Sequence, residues 1–567
     1  MDPRHPHDPD WRPASLSATE LGFTRRPPVP WLSPSLLLRT GLRTALAHTF
    51  GAYLDKRELQ GALPARTYHQ TGDDGELWLD FVADLGDGFD ATYSVAYLLA
   101  RPSLNVSGHD LPRGDVLVMG GDLVYPTASM QGYEDRCKGP YTAALPLPPT
   151  DRPQPTLYAL PANHDWYDGL TAFLRLFVGQ RIDHVGGWRT EQSRSYFAVE
   201  LPHRWWLYAL DEAYGGYIDD PQLVYFEEAA RRLGHGDRVI VVAPEPTWSK
   251  PDPAGYATLD FFLRTIIAPT GATVPLLVAG DQHYYARYEH PDRQLVTCGG
   301  GGAYLSATHR LPEQITVPPR ETIVRKASPR QEYALAARYP EARRSRRLGW
   351  GVFGRLPARN PGFAALVGAI QTLLMLSVAE TVRTVSDTEG RLVTIPLALM
   401  VLVVLGGAVG LAYIPTGGPK GGRHFLAGTL HGVLHLTLGL LGGLLWAHLP
   451  VVEWTWPLPL LVAMLLYLPV AGLAGSLLVA AYLLVAAEFE INLNELFAAQ
   501  GIEDYKSFLR LHIARDGSLT IYPVGIDRVC RRWRADPDAD RPDAPWIVPD
   551  QPDRLRPRLV EDPITIR

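Results

Sequence analysis

Asp84 closes the apolar run 77–84 (LWLDFVAD). Asp122 closes 115–122 (DVLVMGGD), and Tyr125 follows three residues on. Asn163, His164 and Asp165 end 156–165 (TLYALPANHD). Glu245 lies in 238–246 (RVIVVAPEP), and Asp281 and His283 end 274–283 (VPLLVAGDQH). Oxygen and imidazole donors gathered at one edge of a sheet can hold two divalent or trivalent cations. Two cations about 4 Å apart clamp a phosphate ester and create a hydroxide nucleophile near neutral pH. Asp122 has lone pairs enough to bridge both.

Such donors need a scaffold that ends several strands at one place. The five runs, with 205–211 (WWLYALD), share one grammar: a short, continuous apolar stretch followed by polar residues. That pattern predicts strands of a sheet buried on both faces. Polar groups at the carboxyl ends of such strands are where α/β folds place their sites. The expected fold class is therefore α/β over 71–308.

The ordered motifs Gly121-Asp122-x-x-Tyr125, Asn163-His164-Asp165 and Gly280-Asp281-Gln282-His283 resemble those of the calcineurin-like metallophosphoesterase superfamily. Asp84-Leu85-Gly86, followed by the motif ending at Tyr125, looks closest to the purple acid phosphatase branch. The resemblance covers about 77–305. It implies a four-layer α/β/β/α sandwich and two metal ions. Asp84, Asp122 and Tyr125 would hold one metal; Asp122 and Asn163 would hold the second, with His283 near the pair. His164 would give a proton or hydrogen bond to the phosphate or leaving group, with Asp165 orienting it. The segment from Asn163 through Trp166-Tyr167-Asp168-Gly169 to Trp205-Trp206 also resembles a membrane-linked subgroup.

Two positions depart from the family pattern. Pro244 stands where a metal-binding His is usual, with Glu245 the substitute from the next position, and Asp281 replaces the first His of G-H-x-H. An oxygen-richer site favours harder ions, iron, Mn²⁺ or Mg²⁺, over Zn²⁺. The same changes also fit a degenerate module that binds without catalysis. A lone Asp at a strand end is otherwise a cap or turn residue. Asp87 and Asp90 read as loop residues on that basis, and Asp211, Asp219 and Asp220 as caps. Gly299–Gly302 lacks the Lys and Ser/Thr of a P-loop and reads as a tight turn.

Beyond the site region the chain changes character. Residues 1–30 read as a disordered tail, 31–54 as an amphipathic helix within a region 31–70, and 309–360 as a basic linker. That linker carries Arg338, Arg343, Arg344, Arg346, Arg347, Arg355 and Arg359. Four apolar segments within 361–488 are near the roughly 20 residues a span needs: 363–379, 394–414, 426–449 and 458–485, the last kinked at Pro469. An α-helical transmembrane domain is expected there. His431 and His435 share one face of the third span and read as interhelical hydrogen bonders, with metal binding, proton relay or a lipid headgroup as the alternatives. Residues 489–535 read as a small soluble region holding a hairpin turned at Asp516-Gly517, and 536–567 as a second tail.

Charge orients the set. The Arg-rich linker precedes the first span and Lys420 and Arg423 lie between the second and third, while Pro450–Pro457 has no Lys or Arg; Arg383 and Arg391 in the first loop weaken this bias without reversing it, so both termini are expected in the cytoplasm of a plasma-membrane protein. The N-terminus lacks the apolar core of a secretory signal. Three dispersed cysteines exclude a disulfide framework, and a net charge of -6 argues against nucleic acid as a partner. The composite expectation is a membrane-anchored phosphoesterase acting on phosphate mono- or diesters. Its substrate would be a lipid-linked phosphate, a nucleotide or a phosphoprotein, with membrane lipid as its other partner. A transporter with an accessory domain is the remaining reading. Oligomeric state leaves no signature in the sequence.

Overall fold

A run of Val, Leu, Ile and aromatic residues cannot leave its backbone unpaired once buried, so it must enter a ladder. In the computed structural model these runs form twelve strands used below. They are β1 Leu77–Val82, β2 Val116–Met119, β3 Thr156–Ala159, β4 Phe197–Leu201, β5 Trp205–Ala209, β6 Arg238–Ala243, β7 Thr273–Ala279, β8 Tyr285–His290, β9 Arg293–Cys298, β10 Gln331–Tyr339, β11 Lys506–Ile513 and β12 Leu519–Ile526. The structure describes residues 11–39, 41, 56–179, 182–212, 216–250, 253–319, 326–384, 390–414, 420–551 and 555–567. The helix expected over 31–54 falls largely outside them; 34–39 are helical.

The chain divides into two units. The first comprises Met1–Val29, Thr40–Ala342 and Glu503–Arg567. It holds two mixed sheets with parallel centres. One runs β4-β5-β6-β7-β9-β8-β10 between the edge strands Tyr68–His69 and Gln314–Val317. The other runs β12-β11-β1-β2-β3 and ends at Trp188–Thr190 and Asp183–Val185. β1, β2 and β3 are mutually parallel, as are β5, β6, β7 and β9. A helix-covered apolar core lies on each sheet, one joining Val82, Met119 and Leu157 to Tyr93 and Phe173, the other joining Tyr208, Val241 and Leu277 to Phe226 and Phe262. The alternate residues Leu79, Phe81, Val118, Leu207, Ile240 and Val278 are also buried. Both faces of each sheet are therefore covered, as the continuous apolar runs require.

The chain boundaries differ from the sequence expectation in three places. Part of the first presumed tail is structured: Leu21 and Phe23 enter the core against Phe89. The presumed linker 309–360 contributes Gln314–Val317 and β10 to a sheet. The presumed second tail carries Pro557–Leu559 and Ile564–Ile566, both paired to β12. These segments are rich in charge and Pro, and short edge strands need no apolar periodicity.

β11 pairs antiparallel with β1 across 430 residues of sequence, fixed by a buried ion pair. Arg510 Nε donates to Asp80 Oδ1 at 2.7 Å, and a terminal guanidinium nitrogen donates to Oδ2 at 2.9 Å. The other terminal nitrogen donates to the Leu111 carbonyl. Trp78 stacks on His512 beside it. Because β1 precedes the apolar helices and β11 follows them, both flanks lie on one side of any membrane the helices cross. An even number of crossings is required.

The second unit, Pro30–Arg39 with Arg343–Ile502, supplies that number. Four helices are long and apolar enough to span: α1 Pro361–Thr384, α2 Gly390–Ala412 through its segment Ile395–Ala412, α3 Gly422–Ala447 and α4 Leu458–Ala487. α4 is one helix with a π turn at Ala463–Tyr467, just before Pro469. That turn absorbs the hydrogen bond proline cannot make. α1 and α4 touch through Gly368 and Gly472, where a Cβ would meet a facing carbonyl oxygen at 2.5 Å. Gly406 and Gly407 have open space instead. His435 Nδ1 is 3.0 Å from Gln371 Nε2, and His431 stacks on Tyr482. His435 thus makes the expected interhelical hydrogen bond, whereas both His431 ring nitrogens are buried without a hydrogen-bond partner among the described residues.

Replacing Arg510 by Met leaves Asp80 charged and buried. It should lower the unfolding free energy of the first unit by about 3–5 kcal/mol, and a second change, Asp80→Leu, should restore much of it. Denaturant unfolding of the detergent-solubilised chain measures both; an unchanged midpoint for the single variant would count against the pair as the lock on β11.

Candidate metal centre

The carboxyl ends of β1, β2, β3, β6 and β7 meet in the first unit. Asp84, Asp122 and Asp281 follow their strands with φ of 59°, 52° and 64°. Left-handed backbone at a non-glycine residue is uncommon, and three at one locus mark a strained site held by its surroundings. The Gly299–Gly302 turn is part of that support. Gly301 N bonds the Ala83 carbonyl and Ala303 N the Asp84 carbonyl. A Cβ at Gly299 would stand 2.3 Å from Asp84 Oδ2, and one at Gly280 2.8 Å. The glycines make room for a carboxylate.

Tyr125 sits at the hub. Its hydroxyl is 3.0 Å from Asp84 Oδ1, 3.1 Å from Asp122 Oδ2 and 3.1 Å from His283 Nε2. A phenol carries one proton, so it cannot donate to all three. Asp84 Oδ2 and Asn163 Oδ1 are buried with no hydrogen-bond partner among the described residues. Burial, then Asp122, raises the Asp84 pKa well above the ordinary carboxylate value. Burial, then Asp281, pushes Asp122 up to about 8. Burial pushes His283 down to about 3, leaving it neutral. The cluster is rich in lone pairs and poor in positive charge.

A cation at this hub fits those residues. The fit is one of donor chemistry: two carboxylates, a phenol oxygen and a neutral imidazole face one another, with His283 Nε2 3.7 Å from Asp84 Oδ1. Among the described residues no group of three or more His, Cys, Asp and Glu is arranged to hold a metal; at this hub Tyr125 is the common neighbour of the other three. The second position of the expected pair fits less well. Glu245 and Asp281 do converge, but on Lys250, whose Nζ lies 2.6 Å from Glu245 Oε2 and 2.9 Å from Asp281 Oδ2.

Asp165 does a different job from the one expected. It accepts from the backbone nitrogens of Leu123 and Ala162 and from the Tyr133 hydroxyl, tying the β2 and β3 turns together. His164 is oriented instead by the Pro126 carbonyl, 2.7 Å from its Nδ1, and its backbone N–H bonds Asp122 Oδ1 at 2.9 Å. Asp87 holds Val29 N and Tyr304 N, and Asp90 holds the Trp533 indole. Asp211 accepts from Trp166 and Ser195, and Asp219 from Gln222.

Sequence reasoning missed Glu212 and Lys250. Glu212 follows β5, with both carboxylate oxygens buried and unpartnered. Burial, then Glu245 and Asp211, pushes it up to about 8. Its position after WWLYALD was a usable signal; the reach of Lys250 back to Glu245 and Asp281 has none in the sequence.

No family model and no curated protein matches the chain. Among solved structures it is similar to one titled "GAP50 the anchor in the inner membrane complex of Plasmodium", at 11% identity over 46% of this chain and 89% of that one. The TM-score is 0.32, too low for that likeness to carry any inference.

Without metal, Asp122 and Glu212 hold protons that the unfolded chain releases near its ordinary value of about 4. Their contribution favours folding below that value and is lost as pH rises toward 8. Metal-stripped protein should therefore melt at a lower temperature near about pH 8 than near about pH 5, and added Mn²⁺ should restore more at the upper end, since binding displaces those protons. A melting temperature flat across that range, with and without Mn²⁺, would contradict the burial of these acids around a cation site.

Proposed function

We propose that this chain is a membrane-anchored, metal-dependent phosphoesterase of the calcineurin-like kind, its two sheets forming the middle of an α/β/β/α sandwich. The observation that carries the reading is the hub: one phenol proton facing Asp84, Asp122 and His283, with orphaned lone pairs around it. Asp84, Asp122, Tyr125 and His283 would hold a cation, and this oxygen-rich set favours iron or Mn²⁺ over Zn²⁺. When bound, it would supply Lewis acidity toward a phosphate ester.

The chain's own groups then set the proton chemistry. The Pro126 carbonyl can only accept, so His164 Nδ1 carries its hydrogen and Nε2 is the atom where a proton is taken or given. Burial lowers the His164 pKa. The ring is therefore neutral until an anionic phosphate favours its protonated form, which then suits it to protonate a leaving group. Asp122 fixes the backbone at His164 and so links donor cluster to proton donor.

The tether supports a substrate at the bilayer surface, a lipid-linked phosphate foremost. The Arg-rich helix Ala342–Gly349 precedes α1, Lys420 lies between α2 and α3 with Arg423 in the first turn of α3, and Pro450–Pro457 carries no Lys or Arg. That bias supports a plasma-membrane protein with its first unit in the cytoplasm. A reporter fused after Arg567 is expected to read cytoplasmic; an extracytoplasmic signal would reverse the orientation.

A second reading, a binding module without catalysis, is favoured by one observation: Lys250 between two of the expected metal ligands. Hydrolysis of p-nitrophenyl phosphate and its bis-ester by the full chain with Mn²⁺ or Fe²⁺ separates the two. Turnover is expected, with His164→Ala reducing it about 10²–10⁴-fold and Asp122→Asn losing turnover and metal together. Bound metal without turnover would establish the binding module.

A further inference from the structure

The acidic cluster has two centres of negative charge. One is the Tyr125 hub. The other is the pair Glu245 and Asp281, which face one another across the Lys250 ammonium. Asp281 also touches the hub directly, its backbone N–H donating to Asp84 Oδ1 at 3.1 Å. At the second of these centres the chain supplies a cation of its own, the Lys250 ammonium.

We propose that Lys250 is the permanent second cation, so that the centre takes one metal ion per chain rather than two. The inference rests on the metal-dependent reading above and specifies its stoichiometry. Lys250 Nζ makes charge-assisted contacts of 2.6 and 2.9 Å to one oxygen each of Glu245 and Asp281. An ammonium has three donors and no acceptor, so it satisfies two carboxylates and retains one donor. Lys250 is well placed to stay. Its side chain is 28% exposed, and it reaches back to Glu245 over a tight turn. Thr247 N bonds the Glu245 carbonyl at 2.9 Å and Ser249 N the Pro246 carbonyl at 3.0 Å. Pro244 and Pro246 restrict the backbone on either side of Glu245.

Asp281 is held for this role as well. Gln282 Nε2 donates to its Oδ2 at 2.8 Å, the oxygen that also meets Lys250. A metal ion at this position would have to displace the ammonium from both carboxylates or share them with it. It would do so beside the cation already at the hub. The tethered ammonium is always present at high local concentration and resists that exchange.

The test is metal content and metal–metal coupling in the full-length chain, solubilised in detergent, saturated with Mn²⁺ and freed of excess. Elemental analysis should give one Mn²⁺ per chain, and the paramagnetic resonance spectrum should be that of an isolated ion. Lys250→Ala should double the metal content and convert the spectrum to an exchange-coupled pair. Lys250→Gln, which keeps two hydrogen-bond donors without the charge, should do the same and guards against misfolding of the Ala variant. Two ions in the unaltered chain would overturn the inference and leave the phosphoesterase reading standing. One ion in both variants would also overturn it, since the lysine would not then be what excludes the second. No ion in any form would overturn the metal-dependent reading, and this inference with it.

Discussion

Like charges cannot share a dry site, and this constraint organises the first unit. Asp84, Asp122 and Asp281 end strands from two different sheets, yet all three are drawn to one locus with left-handed backbone. Nothing in strand geometry requires that. The arrangement is costly three times over: in backbone strain, in desolvation and in mutual repulsion. It is stable only if protons or cations neutralise it. The protein offers a phenol proton at the hub and an ammonium between Glu245 and Asp281. Burial raises the pKa of Asp84 and Asp122, so their own protons also offset the charge. The glycines packed on Asp84 leave its carboxylate the room a Cβ would take.

The scaffold meets a second constraint, imposed by connectivity. A sheet strand that arrives only after four spanning helices must find its partner from a great distance along the chain. Burial alone would not set the register, because β1 and β11 are buried on both faces. The Arg510–Asp80 pair does not tolerate it. A one-residue slip would bury both charges unpaired, so the ion pair sets register more than it sets stability. The same pairing returns the chain to the side it left. Strand order in the first unit and helix number in the second are thus linked through chain topology.

What was legible in the sequence follows from these physics. Continuous apolar runs announced the central strands, because burial on both faces leaves no other composition. The four spans were legible for the same reason. Polar residues at strand ends announced the site, and Asp84, Asp122, Tyr125 and His283 do come together. The partners within the site were not legible. Asp165 stands next to His164, yet its carboxylate binds the turn backbone and Tyr133. Adjacency in a motif says which residues share a turn, not which way each side chain faces. Lys250 was invisible because its pairing depends on a turn returning from β6 to the end of β7. The edge strands within 309–339 and 557–566 were hidden by charge and proline, which edges accept and cores do not.

The two departures from the phosphoesterase pattern gain a common cause in this light. Pro244 and Asp281 look independent in sequence, since one removes an imidazole and the other exchanges it for a carboxylate. In the structure both changes belong to the Lys250 contact. Asp281 supplies one of its oxygens, and Pro244 begins the turn that carries Glu245 and then Lys250 itself. Two imidazoles here would have been neutral ligands unable to hold an ammonium. Two carboxylates hold it well. Glu245 and Asp281 thus serve one ion pair with Lys250.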